Sequence, residues 1–391
     1  MSNPDRSTIW TPRFILVILF TFLSYVAAMM TYPLVAKYSL TLNPDLTLAS
    51  TIAGLMSLMS LFVCPFAGVL SDRFSRKRIL QISSVFYAIV LFLHGYIRSI
   101  PSLIVLRLLV GVFFSINNVT AVAFSTEFIP EDRMGEGLGY AALASVLAQA
   151  VGPASGLKLV ETGGYPLVFT TAAAAVLLCA AVLIFLPGRK PEGSGASRKI
   201  TLDSLMAVEF TGFMILAALF AAGSGLISTY LAILGEERSI ANIAVYFTVY
   251  SAFMVFLRPL VGRLLDRKGV YFVVVPAVLC TAIGTALIGL SYTIVGILAA
   301  SVFIAVGQGA GTPSLQADVI KHLDRSRTGV ATSTIQIGQN IGNAVAPVIG
   351  SFFVKALNYE TMFSGYGVLL TAAGWLILFL HRRKEKNTVQ N

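Results

Sequence analysis

Apolar residues come in runs of roughly 20, set apart by short stretches rich in Arg, Lys, Asp, Gly and Pro. A helix needs a run of that length to cross the hydrocarbon core of a bilayer. The runs fall near 14–36, 48–70, 79–97, 101–126, 138–160, 165–187, 205–231, 241–264, 271–291, 293–317, 328–356 and 361–381. They predict an all-α membrane protein of twelve transmembrane helices. Only Ser291, Tyr292 and Thr293 divide the ninth run from the tenth. The first run is too long for the core of a cleaved signal and ends in no clean small-residue cleavage site, so it reads as a retained span.

Composition removes the soluble alternative. Of 391 residues, 56% are hydrophobic and 12% charged, against about 25% charged in soluble domains. The mean hydropathy is +0.82. Cys64, Cys179 and Cys280 all lie inside apolar runs without metal-type or paired spacing, and read as small buried hydrophobes.

The net charge of +10 does not point to nucleic acid, because the basic residues occupy the connections. Twelve spans place both termini on one side. The opposite side has scattered single cations: Lys37, Arg98, Lys158, Arg238 and Lys355. The terminal side carries clusters: Arg73, Arg76, Lys77 and Arg78; Arg189, Lys190, Arg198 and Lys199; Arg263, Arg267 and Lys268; and Arg382, Arg383, Lys384 and Lys386. The positive-inside rule makes that side, with both termini, cytoplasmic, in the cell inner membrane. Residues 188–204, with Pro191, Gly193, Ser194, Gly195 and Ser197, read as a flexible linker between bundles 1–187 and 205–391.

The two bundles repeat each other. Pro65, Gly68, Asp72 and Arg73 recur as Pro259, Gly262, Asp266 and Arg267; Arg133 and Gly135 recur as Arg327 and Gly329; Pro153 and Gly156 recur as Pro347 and Gly350. One constant offset relates every pair, and the matched spans share an orientation, so the repeat is parallel.

The stretch Gly68-Val-Leu-Ser-Asp72-Arg73-Phe-Ser-Arg76-Lys77-Arg78 resembles the first-half signature of the major facilitator superfamily, with Ser75 in place of the usual Gly. Gly262-x-x-x-Asp266-Arg267-Lys268-Gly269 is its second-half copy without the basic tail. The resemblance implies the major facilitator fold, two pseudo-symmetric six-helix bundles, and a secondary transporter. Gly68 and Gly262 are expected to permit close helix approach, and Asp72, Arg73, Arg76, Asp266 and Arg267 to latch the cytoplasmic face. In the fifth span, Ala148-x-x-x-Gly152-Pro153-x-x-Gly156 resembles the superfamily's proton-coupled exporter motif. Arg107-x-x-x-Gly111 resembles its fourth-span motif, which implies a role for Arg107 in proton coupling. A charge at a span centre costs about 2.5–3.5 kcal/mol on insertion scales, so Arg107 is expected to face protein; the alternative is an Arg that reaches the outer headgroups. No carboxylate is expected at mid-membrane, which leaves Asp45 or Glu209 as reserve proton carriers, and His94 is expected at the interface.

Candidate substrate-binding residues are uncharged. Gln336, Gln339, Asn340 and Asn343 recur at the spacing of one helical face. Asn117, Asn118, Gln149, Gln308, Tyr25 and Tyr250 add amides and phenols in other spans. Such a lining suits a neutral, amphipathic or cationic solute; the alternative for any one amide is an interhelical hydrogen bond. The third, sixth, ninth and twelfth spans are nearly uniformly apolar and are expected to face lipid.

No phosphate loop and no metal-type His pair is present, so neither ATP drive nor membrane-embedded metalloenzyme chemistry is expected, and no cofactor, metal or obligate protein partner is called for. The function expected is secondary-active, proton-coupled export of a small molecule by alternating access. The alternative is a facilitator or proton symporter that imports a sugar or similar nutrient.

Overall fold

The computed structural model describes residues 10–130, 134–188, 207–322 and 328–390. Among them every element is helical: α1 Pro12–Thr31, α2 Leu34–Leu42, α3 Leu46–Arg73, α4 Arg76–His94, α5 Ile100–Ser125, α6 Met134–Val182, α7 Thr211–Glu237, α8 Val245–Lys268, α9 Val270–Leu290, α10 Ile294–His322, α11 Thr328–Ala356 and α12 Tyr359–Gln390. Nine helical stretches among the described residues are long and apolar enough to cross a bilayer. One of them, Leu143–Phe185, has 43 residues, about 65 Å at the helical rise and twice a hydrocarbon core. It is two spans folded at Gly164, whose φ of 69° breaks the helix between the predicted fifth and sixth runs.

Local chemistry sets the other breaks. The first predicted span is two helices, α1 and α2, because Pro33, in the Tyr32–Pro33 turn, cannot continue the backbone ladder. The seventh predicted run began at 205, whereas α7 starts at Thr211 after a 3-10 turn at Val208–Phe210 and ends at Glu237. The helix outlasts its apolar run and carries Glu236 and Glu237 past the expected membrane edge. The sparse break at Ser291–Thr293 is real, and α9 ends at Leu290.

By packing, the residues form two compact units. One is drawn from Met1–Thr31 and Phe62–Ser197, the other from Tyr32–Leu61 and Arg198–Asn391. Packing thus groups α2 and the first part of α3 with α7–α12, a partition different from that of the sequence repeat. The residues that make it possible are small: a Cβ on Gly54 of α3 would collide with the Ala344 carbonyl of α11.

Within the first unit α1 packs closely on α6. A Cβ on Gly152 would meet Met29 and Met30, and one on Gly156 would strike the Met30 carbonyl. Gly350, which repeats Gly156, is hemmed in by Leu226, Met362 and Tyr230. Gly68 and Gly262 differ from expectation, since a Cβ on either meets nothing within 4 Å among the described residues. Among the described residues neither glycine meets a close neighbour. Apolar side chains exposed on α4 (Ile82, Phe86, Ile89), α9 (Phe272, Ile283) and α12 (Val368, Leu376, Phe379) give these helices the outward apolar face that lipid contact requires.

Candidate functional site

In the first unit, Arg107 is 1% exposed on α5, and Tyr87 and His94 on α4 are buried as well. His94 ends α4, where the interfacial expectation put it, and is covered by protein. It is 1% exposed; its Nδ1 lies 2.9 Å from the Val90 carbonyl and its ring stacks on Phe169 at 5.3 Å. The apolar flank of α4 hides this in sequence, because burial of a helix end depends on which neighbour covers it.

Arg76 opens α4 and ties three segments together. Its Nε donates to the Ser71 carbonyl at 3.3 Å, and Nη1 donates to the Ala123 carbonyl at 3.1 Å and to Glu127 Oε1 at 3.2 Å. The neighbouring Lys77 Nζ donates to the Leu186 carbonyl at 2.5 Å, a cation at the chain end that follows α6. Two members of the basic cluster are thus engaged with neighbouring segments of the same unit. Asp72 and Arg73 close α3 and Asp266 lies in α8, but their side chains fall outside the described residues, as does Arg133. Arg267 is exposed near the end of α8. Pro153 sits within α6 beside Gly152, at the close contact with α1.

The amides divide into engaged and open groups. Tyr25 on α1 donates to Asn118 Oδ1 at 2.6 Å. Asn117 is buried between α4 and α5, where its carbonyl accepts from Ser83 at 2.8 Å and Ser84 at 3.1 Å. In the second unit Gln308 on α10 donates to the Phe220 carbonyl of α7 at 2.7 Å. Tyr250 stacks on Tyr246 one turn away, with centroids 6.1 Å apart. Gln149 on α6 and Gln336, Gln339 and Asn340 on α11 are at least partly accessible and make no hydrogen bond among the described residues. Arg258, which the sequence groups with the basic residues of the cytoplasmic side, is half-buried on α8 ten residues before the helix ends at Lys268.

A second set of ties closes the far end of the second unit, where α2 and the start of α3 meet α7 and α11. Lys37 pairs with Glu236. Lys355 Nζ lies 2.5 Å from Asp45 Oδ1, and this bond, helped by the Thr47 backbone N–H, holds the Asp45 carboxyl below the usual carboxylate range. Between them the fully buried Tyr230 donates to the Pro347 carbonyl at 2.5 Å and sits 2.7 Å from Ser50 Oγ. Ser351 donates to Thr47 at 3.2 Å. No group of three or more His, Cys, Asp or Glu able to hold a metal occurs among the described residues.

Comparison with known proteins places this arrangement. The Major Facilitator Superfamily profile matches residues 17–220 and 213–391. The chain is 22% identical over 354 residues to the uncharacterized MFS-type transporter MJ1560 of Methanocaldococcus jannaschii, covering 88% of this chain and 91% of that one. It is 26% identical over 353 residues to the multidrug resistance protein MdtG of Citrobacter koseri, covering 84% of each. Among solved structures, a point mutant of the nucleoside transporter NupG superposes with a TM-score of 0.81 at 14% identity, over 93% of this chain and 99% of that one. The peptide transporter POT in complex with sulfate does so with a TM-score of 0.81 at 14% identity, over 98% and 97%. Apolar helices, a parallel repeat and a profile match across both halves converge: the chain belongs to the Major Facilitator Superfamily and is a multi-pass membrane transporter of small molecules.

Proposed function

We propose that the protein is a proton-coupled exporter of small amphipathic or cationic molecules, working by alternating access. The observation that carries this reading is similarity over most of both chains to relatives named multidrug resistance protein MdtG. The tight seating of Gly152 and Gly156 of the exporter-like motif against α1 supports it.

Arg107 carries the coupling role in this reading. A cation buried in a span is expensive and is by default a functional group. The ties at Lys37–Glu236, Asp45–Lys355 and Tyr230 act as the outer gate, and Arg76–Glu127 as part of the inner one. The open amides Gln336, Gln339 and Asn340 are offered to cargo, with Gln149 and Tyr250 as further contacts.

Reconstitution into proteoliposomes with a panel of fluorescent cationic, neutral and anionic amphiphiles tests the proposal. Cationic or neutral dyes should move against the direction of an imposed proton gradient, and collapse of the gradient should stop them. Arg107→Ala should retain dye binding but lose the dependence on pH gradient. Uptake of the solute in the same direction as protons would replace export by symport.

A further inference from the structure

Three helices of the second unit, α7, α11 and α12, enclose a crevice of about 440 Å³. That is within the ~300–1,000 Å³ of sites that hold small ligands. Its floor is made of small residues, because α7 and α11 touch closely: a Cβ on Gly338 or Gly342 would collide with the Met214 or Ala218 carbonyl. The third helix stands away, and a Cβ on Gly365 of α12 meets nothing within 4 Å. The walls are apolar. Tyr366 brings the one phenol, and its hydroxyl is already committed to the Leu219 carbonyl at 2.6 Å. The crevice is continuous with a face of exposed apolar side chains, Val345, Ile349, Phe353 and Leu369. The open amides of α11 lie on a different face of that helix.

We propose that this crevice is a binding site for one acyl chain of a bilayer phospholipid, seated behind the Tyr230 tie. Two of the helices that form it, α7 and α12, are long and apolar enough to cross a bilayer, which puts hydrocarbon at its mouth. An unfilled apolar groove forfeits dispersion contacts on every wall. Dimensions agree with a chain from a single leaflet. Along α11 the lining runs from Ile341 to Phe353, about 18 Å at the helical rise, and half of a ~30 Å hydrocarbon core is about 15 Å. The lining has no charged side chain to hold a headgroup, and Thr361 is its only polar residue besides Tyr366, so the tail is what is recognised. The occupied end abuts the gate: Gly350 and Leu226 line the crevice, and the Gly350 Cβ position is bounded by Leu226 and by the Tyr230 ring. A chain in place supports the ring whose hydroxyl joins α7 to Pro347 and Ser50.

Reconstitution of the full-length protein with a phosphatidylcholine bearing a diazirine in its acyl chain, followed by irradiation and peptide mass spectrometry, tests this. Adducts should concentrate on residues 341–353 and 361–369, several-fold above the equally exposed apolar face at Trp375–Leu380. Gly365→Phe fills the open space and should reduce crevice adducts several-fold while those at Trp375–Leu380 persist. If that variant misfolds, Val345→Trp at the mouth should give the same result. Equal labelling of both faces, labelling insensitive to a folded filling variant, or displacement of the label by a hydrophobic dye but not by excess lipid would each overturn the assignment.

Discussion

At the residue scale, the structure separates glycines that look alike in sequence. Gly156 is pressed against the Met30 backbone, and a backbone carbonyl cannot swing aside as a side-chain end can. Gly156→Val must therefore push α1 from α6, an overpacking error that costs about 1–3 kcal/mol. Gly68→Ala and Gly262→Ala add a methyl where nothing among the described residues stands within 4 Å and remove a flexible residue from a helix. They should be neutral or gain up to about 1 kcal/mol. Thermal unfolding in detergent, followed by tryptophan fluorescence, checks both: the Gly156 variant should melt well below the parent, and the other two at or above it. A Gly68 variant as damaged as the Gly156 variant would show that Gly68 has a close neighbour after all. Asn117 is a case of the same kind. Its carbonyl holds Ser83 and Ser84 across to α4, so Asn117→Leu should lower stability by about 0.6–1.7 kcal/mol, the range of interhelical polar contacts in membranes. Midpoints of unfolding at fixed detergent concentration measure that loss.

At the element scale, what decides behaviour is how helix ends are fastened. The Asp45–Lys355 bond joins the loop between α2 and α3 to the end of α11. Asp45 has a carboxyl pKa depressed by that bond and by the Thr47 N–H. A group depressed in the folded state contributes above its unfolded pKa, near 3.9, and its contribution is lost as pH falls through the lower folded value. Mild acidification between pH 7 and 5 should leave this tie closed, which argues against Asp45 as the proton carrier. Asp45→Asn should therefore raise the rate at which the gate opens, measured by fluorescence of a probe at residue 41, without moving the pH midpoint of transport. A shift in that midpoint would restore Asp45 to the coupling path. Elements were legible in sequence to the extent that they are one-dimensional. The apolar run at 328–356 is α11 residue for residue, and the kink between the fifth and sixth runs falls at Gly164. A hydropathy run does not record a broken backbone ladder, so the Thr31–Pro33 break was absorbed into one span. Nor does it record how a helix is rotated against its neighbours. For that reason Asn117 and Gln308 could be named as polar but not as bonded, and the cover of Phe169 over His94 was not visible.

At the scale of the whole molecule, charge asymmetry carries an argument that packing does not. The side of the chain bearing Asp45, Glu236 and Lys355 holds two ion pairs, Lys37–Glu236 and Lys355–Asp45. The other side keeps clusters such as Arg263, Arg267 and Lys268, all exposed. Clusters of that kind resist translocation and hold their side in the cytoplasm, and the orientation expected of both gates follows from it. Single cysteines can test it in a background where Cys64, Cys179 and Cys280, all free thiols, are replaced by alanine. Glu360→Cys, at the exposed start of α12, leaves both ion pairs intact and should react with a membrane-impermeant maleimide in whole cells. Arg267→Cys should react only after the cells are opened. The reverse pattern would turn the molecule over, making the Tyr230 ties the inner gate and placing the proposed acyl chain in the cytoplasmic leaflet. Equal reaction of both in intact cells would mean that an even number of crossings separates residues 267 and 360 instead of the three expected from α9, α10 and α11, and the pairing of helices into two repeated bundles would have to be redrawn.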